Sequence, residues 1–175
     1  MNIWKNTRTF PLRLQEIFQR NEFRLENILI PEGDILNWGC SSGETSEELR
    51  TFYPNRRIIS LDINEKVIKK AKRKYPHLEF HCMDGCDLSY FQEPFAAIFA
   101  MNNLIYGFTE HNISEHDFKN IVQELRSHIR SDGTLFFSTI SDIFILQNDL
   151  LKHGKFDSLP RVKRLIYEAS YAYQS

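Results

Sequence analysis

The stretch Asp34-Ile35-Leu36-Asn37-Trp38-Gly39-Cys40-Ser41-Ser42-Gly43-Glu44 decides the fold. Its first half is a short apolar run ending in glycine, its second a polar loop closed by another glycine, and an amphipathic stretch continues to Tyr53. Strand, glycine loop and helix in that order open a parallel α/β sheet. Downstream, Arg57-Ile58-Ile59-Ser60-Leu61-Asp62-Ile63 is a β-branched strand, and Asn64 caps a helix over Glu65 to Tyr75 whose apolar face is Val67, Ile68, Ala71 and Tyr75. Leu78 to Met83 and Phe95 to Ala100 predict two further strands, the second apolar throughout and so buried on both faces. A helix over Ile113 to Ile129 carries the stripe Phe118, Ile121, Val122, Leu125 and Ile129, and Ser131-Asp132-Gly133 turns the chain into strand five at Leu135-Phe136-Phe137. Such alternation implies right-handed crossovers and a Rossmann-like, doubly wound, mostly parallel sheet with helices on both faces. Upstream, Leu12 to Leu29 predicts a helical lead-in stopped by Pro31-Glu32-Gly33; beyond Ser138, Ile143 to Leu151 and the set Val162, Leu165, Ile166, Ala169 and Tyr173 predict C-terminal helices. The chain is thus expected to be one domain over 1–175, with a lead-in at 1–33, a core at 34–139 and closing helices at 140–175.

Composition narrows the partners. Twenty-two basic and 23 acidic residues leave a net charge of −1, which gives no whole-chain electrostatic reason for nucleic acid or an anionic membrane. Neither a signal peptide nor a membrane span is visible, and an odd set of cysteines, Cys40, Cys82 and Cys86, suits free thiols in a reducing compartment. The expected location is cytoplasmic.

The glycine loop carries the chemistry. A dinucleotide fingerprint would need glycine at 39, 41 and 44; here those positions are Gly39, Ser41 and Glu44. A carboxylate beside a pyrophosphate is repelled, whereas beside the ammonium of an amino acid it is attracted. The loop Gly39, Cys40, Ser41, Gly43 and Glu44 therefore suits an adenosyl amino acid better than NAD. Asp62 ends strand two 23 residues after Gly39, near the spacing at which an acid accepts from both ribose hydroxyls, with Ile63 beside it. Asp84, next to Gly85 at the end of strand three, is placed for the adenine amino group, with Asp87 as its alternative. Each feature has a plainer explanation: an ordinary turn for the glycines, a helix cap for Asp62, a loop turn for Asp84.

With these residues in hand, the chain resembles the class I S-adenosylmethionine-dependent methyltransferases over roughly Ile35 to Ser138. It is most similar to the chemotaxis-receptor glutamate methyltransferases, whose glycine loop is like Gly39 to Glu44 and whose strand four runs into a segment like Asn102-Asn103-Leu104-Ile105-Tyr106. The resemblance implies strand order 3-2-1-4-5, S-adenosylmethionine lying across strands 1, 2 and 4 with Asn102 beside it, Glu44 on the methionine ammonium, and Tyr106 near the transferred methyl as the catalytic side chain. The acceptor implied is a small molecule or a protein group. Three positions depart from the pattern: Met101 replaces an arginine, Ala96 an acid at the start of strand four, and Asn37 an acid in strand one. The antiparallel strand pair that normally completes the sheet is not evident in the 37 residues after Ser138. That shortfall, with Ala96 and Met101, favours the alternative to an enzyme, a non-catalytic S-adenosylmethionine-binding module regulating a partner, and it also fits a homodimer through an incomplete sheet edge.

Other signals point elsewhere less well. Gly39 to Gly43 satisfies the nucleophile-elbow pattern, but no strand precedes it to supply an oxyanion turn. His81, Cys82 and Cys86 lack a fourth metal ligand and read as buried thiols beside a histidine, so no metal is expected. Lys69-Lys70 and Lys72-Arg73-Lys74 lie opposite an apolar helix face and read as a solvated surface. His111 and His116 follow strand four, where a base for a hydroxyl or amine acceptor would stand.

Overall fold

The computed structural model describes residues 14–101, 103–105, 108, 113–139, 143–148, 150–153 and 160–171. Apolar runs that stay buried on both faces can only pair into an interior sheet, and seven strands do so. They are β1 (Ile35–Trp38), β2 (Ile58–Asp62), β3 (Glu79–Cys82), β4 (Phe95–Met101), β5 (Ile129–Ser138), β6 (Ile143–Gln147) and β7 (Leu150–His153). The order is β3-β2-β1-β4-β5-β6-β7. Strands β1 to β5 pair in parallel, and β6 and β7 return antiparallel. The expected 3-2-1-4-5 order is therefore present.

Helices α1 (Leu14–Arg20) and α2 (Glu44–Phe52) cover one face, and α4 (Glu115–Ser127) and α5 (Pro160–Tyr171) the other. Under α4 and α5 the core holds Leu36, Ile98, Leu135, Phe137 and Phe144; under α1 and α2 it holds Ile35, Phe99, Phe136 and Ile145. Phe99 and Phe136 stack across β4 and β5 with centroids 4.2 Å apart. Helix α3 (Glu65–Lys74) seats Ile68 and Ala71 against Phe80 of β3. Its start is capped by Asn64, whose side chain accepts the Lys66 amide at 3.0 Å.

Several expectations are corrected. The region Ile143 to Leu151 is a pair of strands, not a helix, so the missing strand pair is present and β5 is an interior strand rather than an open edge. Its four apolar residues Ile143, Phe144, Ile145 and Leu146 are all buried, alternately toward the two helical layers, which erases the period that separates strand from helix. The pair turns through Asn148, whose φ is +48°, with Gln147 and Leu150 as the flanking partners. The lead-in is shorter than expected: α1 ends at Arg20, Glu22 takes φ +62°, and Leu25–Asn27 is a single 3₁₀ turn. Leu29, counted on its apolar face, is 82% exposed. The turn at Ser131-Asp132-Gly133 is a bulge inside β5, where pairing jumps from Phe95↔Ile129 to Ala97↔Thr134. A Cβ on Gly133 would stand 2.7 Å from Ile129 Cγ1 and 3.0 Å from the Ala96 carbonyl, so the chain closes on itself there only with glycine.

Asn148 tests the hairpin. Asn148→Gly is expected to be neutral or stabilising and Asn148→Val to cost about 1–2 kcal/mol, because a β-branched residue resists positive φ; urea denaturation of both variants measures this, and equal stabilities would contradict the turn.

Candidate functional site

The glycine loop stands at the carboxyl end of β1, between β2 and β4, where strand order reverses. Its backbone is left-handed at alternate positions: φ is +74° at Gly39, +49° at Ser41 and +90° at Gly43. This winding points successive amides inward. Those of Gly39 and Cys40 both donate to the Leu61 carbonyl at 2.8 Å, and that of Ser41 donates to Asp62 Oδ2 at 3.0 Å. Asp62 Oδ1 accepts the Asn64 amide at 2.9 Å. Burial raises the Asp62 pKa, and the two amides offset part of that shift. Each carboxylate oxygen keeps a free lone pair, so the acid can still accept two hydroxyl protons from a ligand.

Gly43 begins α2 and must be small: a Cβ there would meet Phe80 at 2.9 Å and Tyr75 at 3.0 Å. Glu44 follows in the first turn. Its Oε1 accepts from Lys74 Nζ at 2.9 Å and its Oε2 from Ser42 Oγ at 2.8 Å. Partial burial alone would raise the Glu44 pKa; the Lys74 and Ser42 bonds outweigh it and hold the carboxyl below its ordinary value. Asn37, where the wider class has an acid, donates to Ser46 Oγ at 2.9 Å, and Ser60 donates to the same oxygen. That buried trio ties β1, β2 and α2 together without a charge.

Beyond β3, Asp84 is exposed and its Oδ1 accepts the Cys86 amide at 3.0 Å. Asp87 is likewise exposed and accepts the Ser89 amide at 3.0 Å. Both acids thus hold local turns. Gly85 is buried under Trp38, whose indole N–H donates to its carbonyl at 2.7 Å, and a Cβ there would fall 2.3 Å from that nitrogen. Its smallness serves Trp38. Ile63 is half-buried, and its carbonyl accepts from the Cys82 thiol at 3.7 Å. All three cysteines are free thiols. Contrary to expectation Cys82 is exposed, because it ends a short edge strand; Cys40 is buried, and burial with the nearby Asp84 pushes the Cys86 thiol up to about 12. Among the described residues no group of three or more His, Cys, Asp and Glu could hold a metal ion, and no helix is long and apolar enough to cross a membrane.

The structure brings together Gly39, Cys40, Ser41, Gly43, Glu44, Asp62 and Ile63. Asn102, Tyr106 and His111 lie outside the described residues, and His116 sits on α4, within 3.1 Å of Asn120 Nδ2. Three residues at the site were not singled out from sequence. Asn103 donates through Nδ2 to the carbonyls of Trp38 at 2.7 Å and Gly39 at 2.9 Å. Trp38 spans to Gly85, and Lys74 neutralises Glu44. Only Trp38 carried a local signal, a buried indole that needs an acceptor. An open groove of about 480 Å³, lined by Phe18, Phe23, Leu25 and Phe52, lies at the far end of α2 and is separate from the glycine loop.

Gly39→Ala is expected to cost about 1 kcal/mol or more and to displace Asn103, because φ is positive and the new Cβ would lie 2.2 Å from Nδ2; unchanged urea stability would refute the close contact. Since the folded Glu44 pKa is depressed, the Lys74 pair contributes stability above the unfolded carboxylate value and loses it as pH falls through the folded value. The Tm difference between wild type and Lys74→Met should therefore be present near neutrality and shrink as the pH falls below the ordinary carboxylate range. A difference that is constant with pH would show that the pair is not formed.

The family profile described as a methyltransferase domain matches residues 35–133, more than half of the 175 residues. A malonyl-[acyl-carrier protein] O-methyltransferase of Bacillus anthracis is 29% identical over 107 residues, 60% of this chain but 36% of that relative. An S-adenosylmethionine-dependent methyltransferase from Clostridium acetobutylicum superposes with a TM-score of 0.57 at 11% identity, over 89% of this chain and 76% of its own. The plantazolicin methyltransferase BpumL, solved with SAH, gives 0.50 at 19% identity, over 60% of this chain and 38% of its own. The match spans the glycine loop, Asp62 and the first four strands, and on it the chain belongs to the methyltransferase domain family.

Proposed function

We propose that the chain is an S-adenosylmethionine-dependent methyltransferase whose acceptor is an oxygen of a small-molecule or carrier-bound acyl group. The observation that carries this is the Asp62 carboxylate. It is lodged under a left-handed glycine loop, with one lone pair of each oxygen committed to a backbone amide and the others available to a pair of ribose hydroxyls. A pyrophosphate finds no welcome between this acid and Glu44, so the charge pattern supports an adenosyl amino acid. The relatives, an O-methyltransferase and a protein solved with SAH (S-adenosylhomocysteine), support the same cofactor and an oxygen acceptor. The chemotaxis-type resemblance of the loop supports Glu44 as the acid for the ligand ammonium, which would take the place of Lys74.

When bound, S-adenosylmethionine supplies a methyl on a sulfonium, an electrophile that needs no acid from the protein. This chain's residues bind and align: the loop amides set the backbone path, Asp62 orients the ribose, and Asp84 or Asp87 meets the adenine edge. On the resemblance, Asn102 would lie beside the cofactor and Tyr106 on the acceptor side. The proposal takes the 175 residues as one working domain in the cytoplasm, where Cys40, Cys82 and Cys86 stay reduced.

Calorimetry tests the reading. S-adenosylmethionine and S-adenosylhomocysteine are expected to bind wild type, and Asp62→Ala to weaken both tenfold or more, about 1.4 kcal/mol. Folded wild type that binds neither would overturn it.

A further inference from the structure

We infer that the face formed by α1 and the 3₁₀ turn is an interface with a second copy of this chain, in which Leu29 of each copy enters the groove of the other. Two features of that face are complementary in shape. Among the described residues Leu29 is the most exposed large hydrophobic side chain, 82% accessible, and it stands two residues beyond the turn. The groove of about 480 Å³ is walled by the turn itself, through Leu25, Glu26 and Asn27, and by Phe18, Phe23 and Phe52.

A lone exposed leucine is ordinary on a protein surface. This one is held in place. The Leu29 carbonyl accepts from Gln147 Nε2 at 2.5 Å, and the preceding Ile28 amide donates to the Leu25 carbonyl at 3.1 Å. The backbone that carries the side chain is thus fixed to β6 on one side and to the groove wall on the other, so docking it costs little ordering entropy.

Symmetry and charge make the occupant a second copy. In a two-fold pair residue i meets residue j and j meets i, so a protruding side chain and a hollow side by side on one face are both matched twice. The charges follow the same rule. Arg24 and Glu26 both line the groove and are exposed, and among the described residues neither has an ion-pair partner. A two-fold axis through the turn sets Arg24 of one copy opposite Glu26 of the other, and forms the reverse pair as well. One charge of each sign, two residues apart, suits its own image and gives a strongly charged partner no advantage. The nine groove residues with Leu29 fall short of the roughly 20–30 residues a side of stable interfaces, so the dimer is expected to dissociate in the micromolar range. The groove is remote from the glycine loop, and pairing there leaves the cofactor site free.

Sedimentation equilibrium over about 1–100 µM protein tests the inference. Wild type is expected to pass from monomer to dimer mass as concentration rises. Leu29→Glu, at an exposed position and with an unchanged circular dichroism spectrum, is expected to stay monomeric throughout. Arg24→Glu is expected to raise the dissociation constant about tenfold, and Arg24→Glu with Glu26→Arg to return it to within about threefold of wild type. Wild type that stays monomeric overturns the inference and leaves the groove to another protein or to residues 1–13 of this chain. A dimer that Leu29→Glu does not weaken overturns it in favour of another face, such as the edge of β7. A double variant no tighter than Arg24→Glu alone overturns the two-fold arrangement.

Discussion

The carbonyl of Leu61 receives two amides, from Gly39 and Cys40, and on that convergence the site depends. It fastens the loop after β1 to the end of β2, which places Asp62 under the Ser41 amide. Glycine at 39 makes the double contact available, since only a left-handed turn brings both N–H groups to one oxygen. From the other side Asn103 takes the carbonyls of Trp38 and Gly39, so the loop is hung between β2 and β4 by polar bonds of opposite sense. Burying the Asp62 charge raises its pKa and therefore costs folding free energy near neutrality.

The parallel half of the sheet was legible because local signals agreed. β-Branched residues at 57–63 end at a capping Asn64, and the loop at 39–43 carries its glycines where φ is positive. The strand pair after Ser138 was not, because a four-residue apolar run buried on both faces has no period to read. Asn148 with Asp149 was the one usable turn signal there.

At the site, Asp62 and the loop could be found from spacing alone, whereas their partners could not. Lys74 lies 30 residues from Glu44, Gly85 lies 47 from Trp38, and Asn103 lies 64 from Gly39. Each pairing is created by the crossover topology, which no local pattern encodes. Gly85, singled out for its place beside Asp84, is also a packing partner: a Cβ there would meet the Trp38 indole, a contact that sequence does not show.

Strand β1 comes first in sequence yet sits in the middle of the parallel half, with β2 on one side and β4 on the other. As the chain lengthens from its amino end, β1 acquires its β2 neighbour some 20 residues later but waits about 60 for β4, so loop-closure entropy falls unequally on its two edges. The β2 side of the site is therefore cheap to assemble and the β4 side expensive. Strands β5, β6 and β7, by contrast, are neighbours in both sequence and space and can zip in succession. Order at the glycine loop is thus coupled to a distant stretch of chain, and any change that loosens β4 is felt first at the Trp38 and Gly39 carbonyls that Asn103 holds.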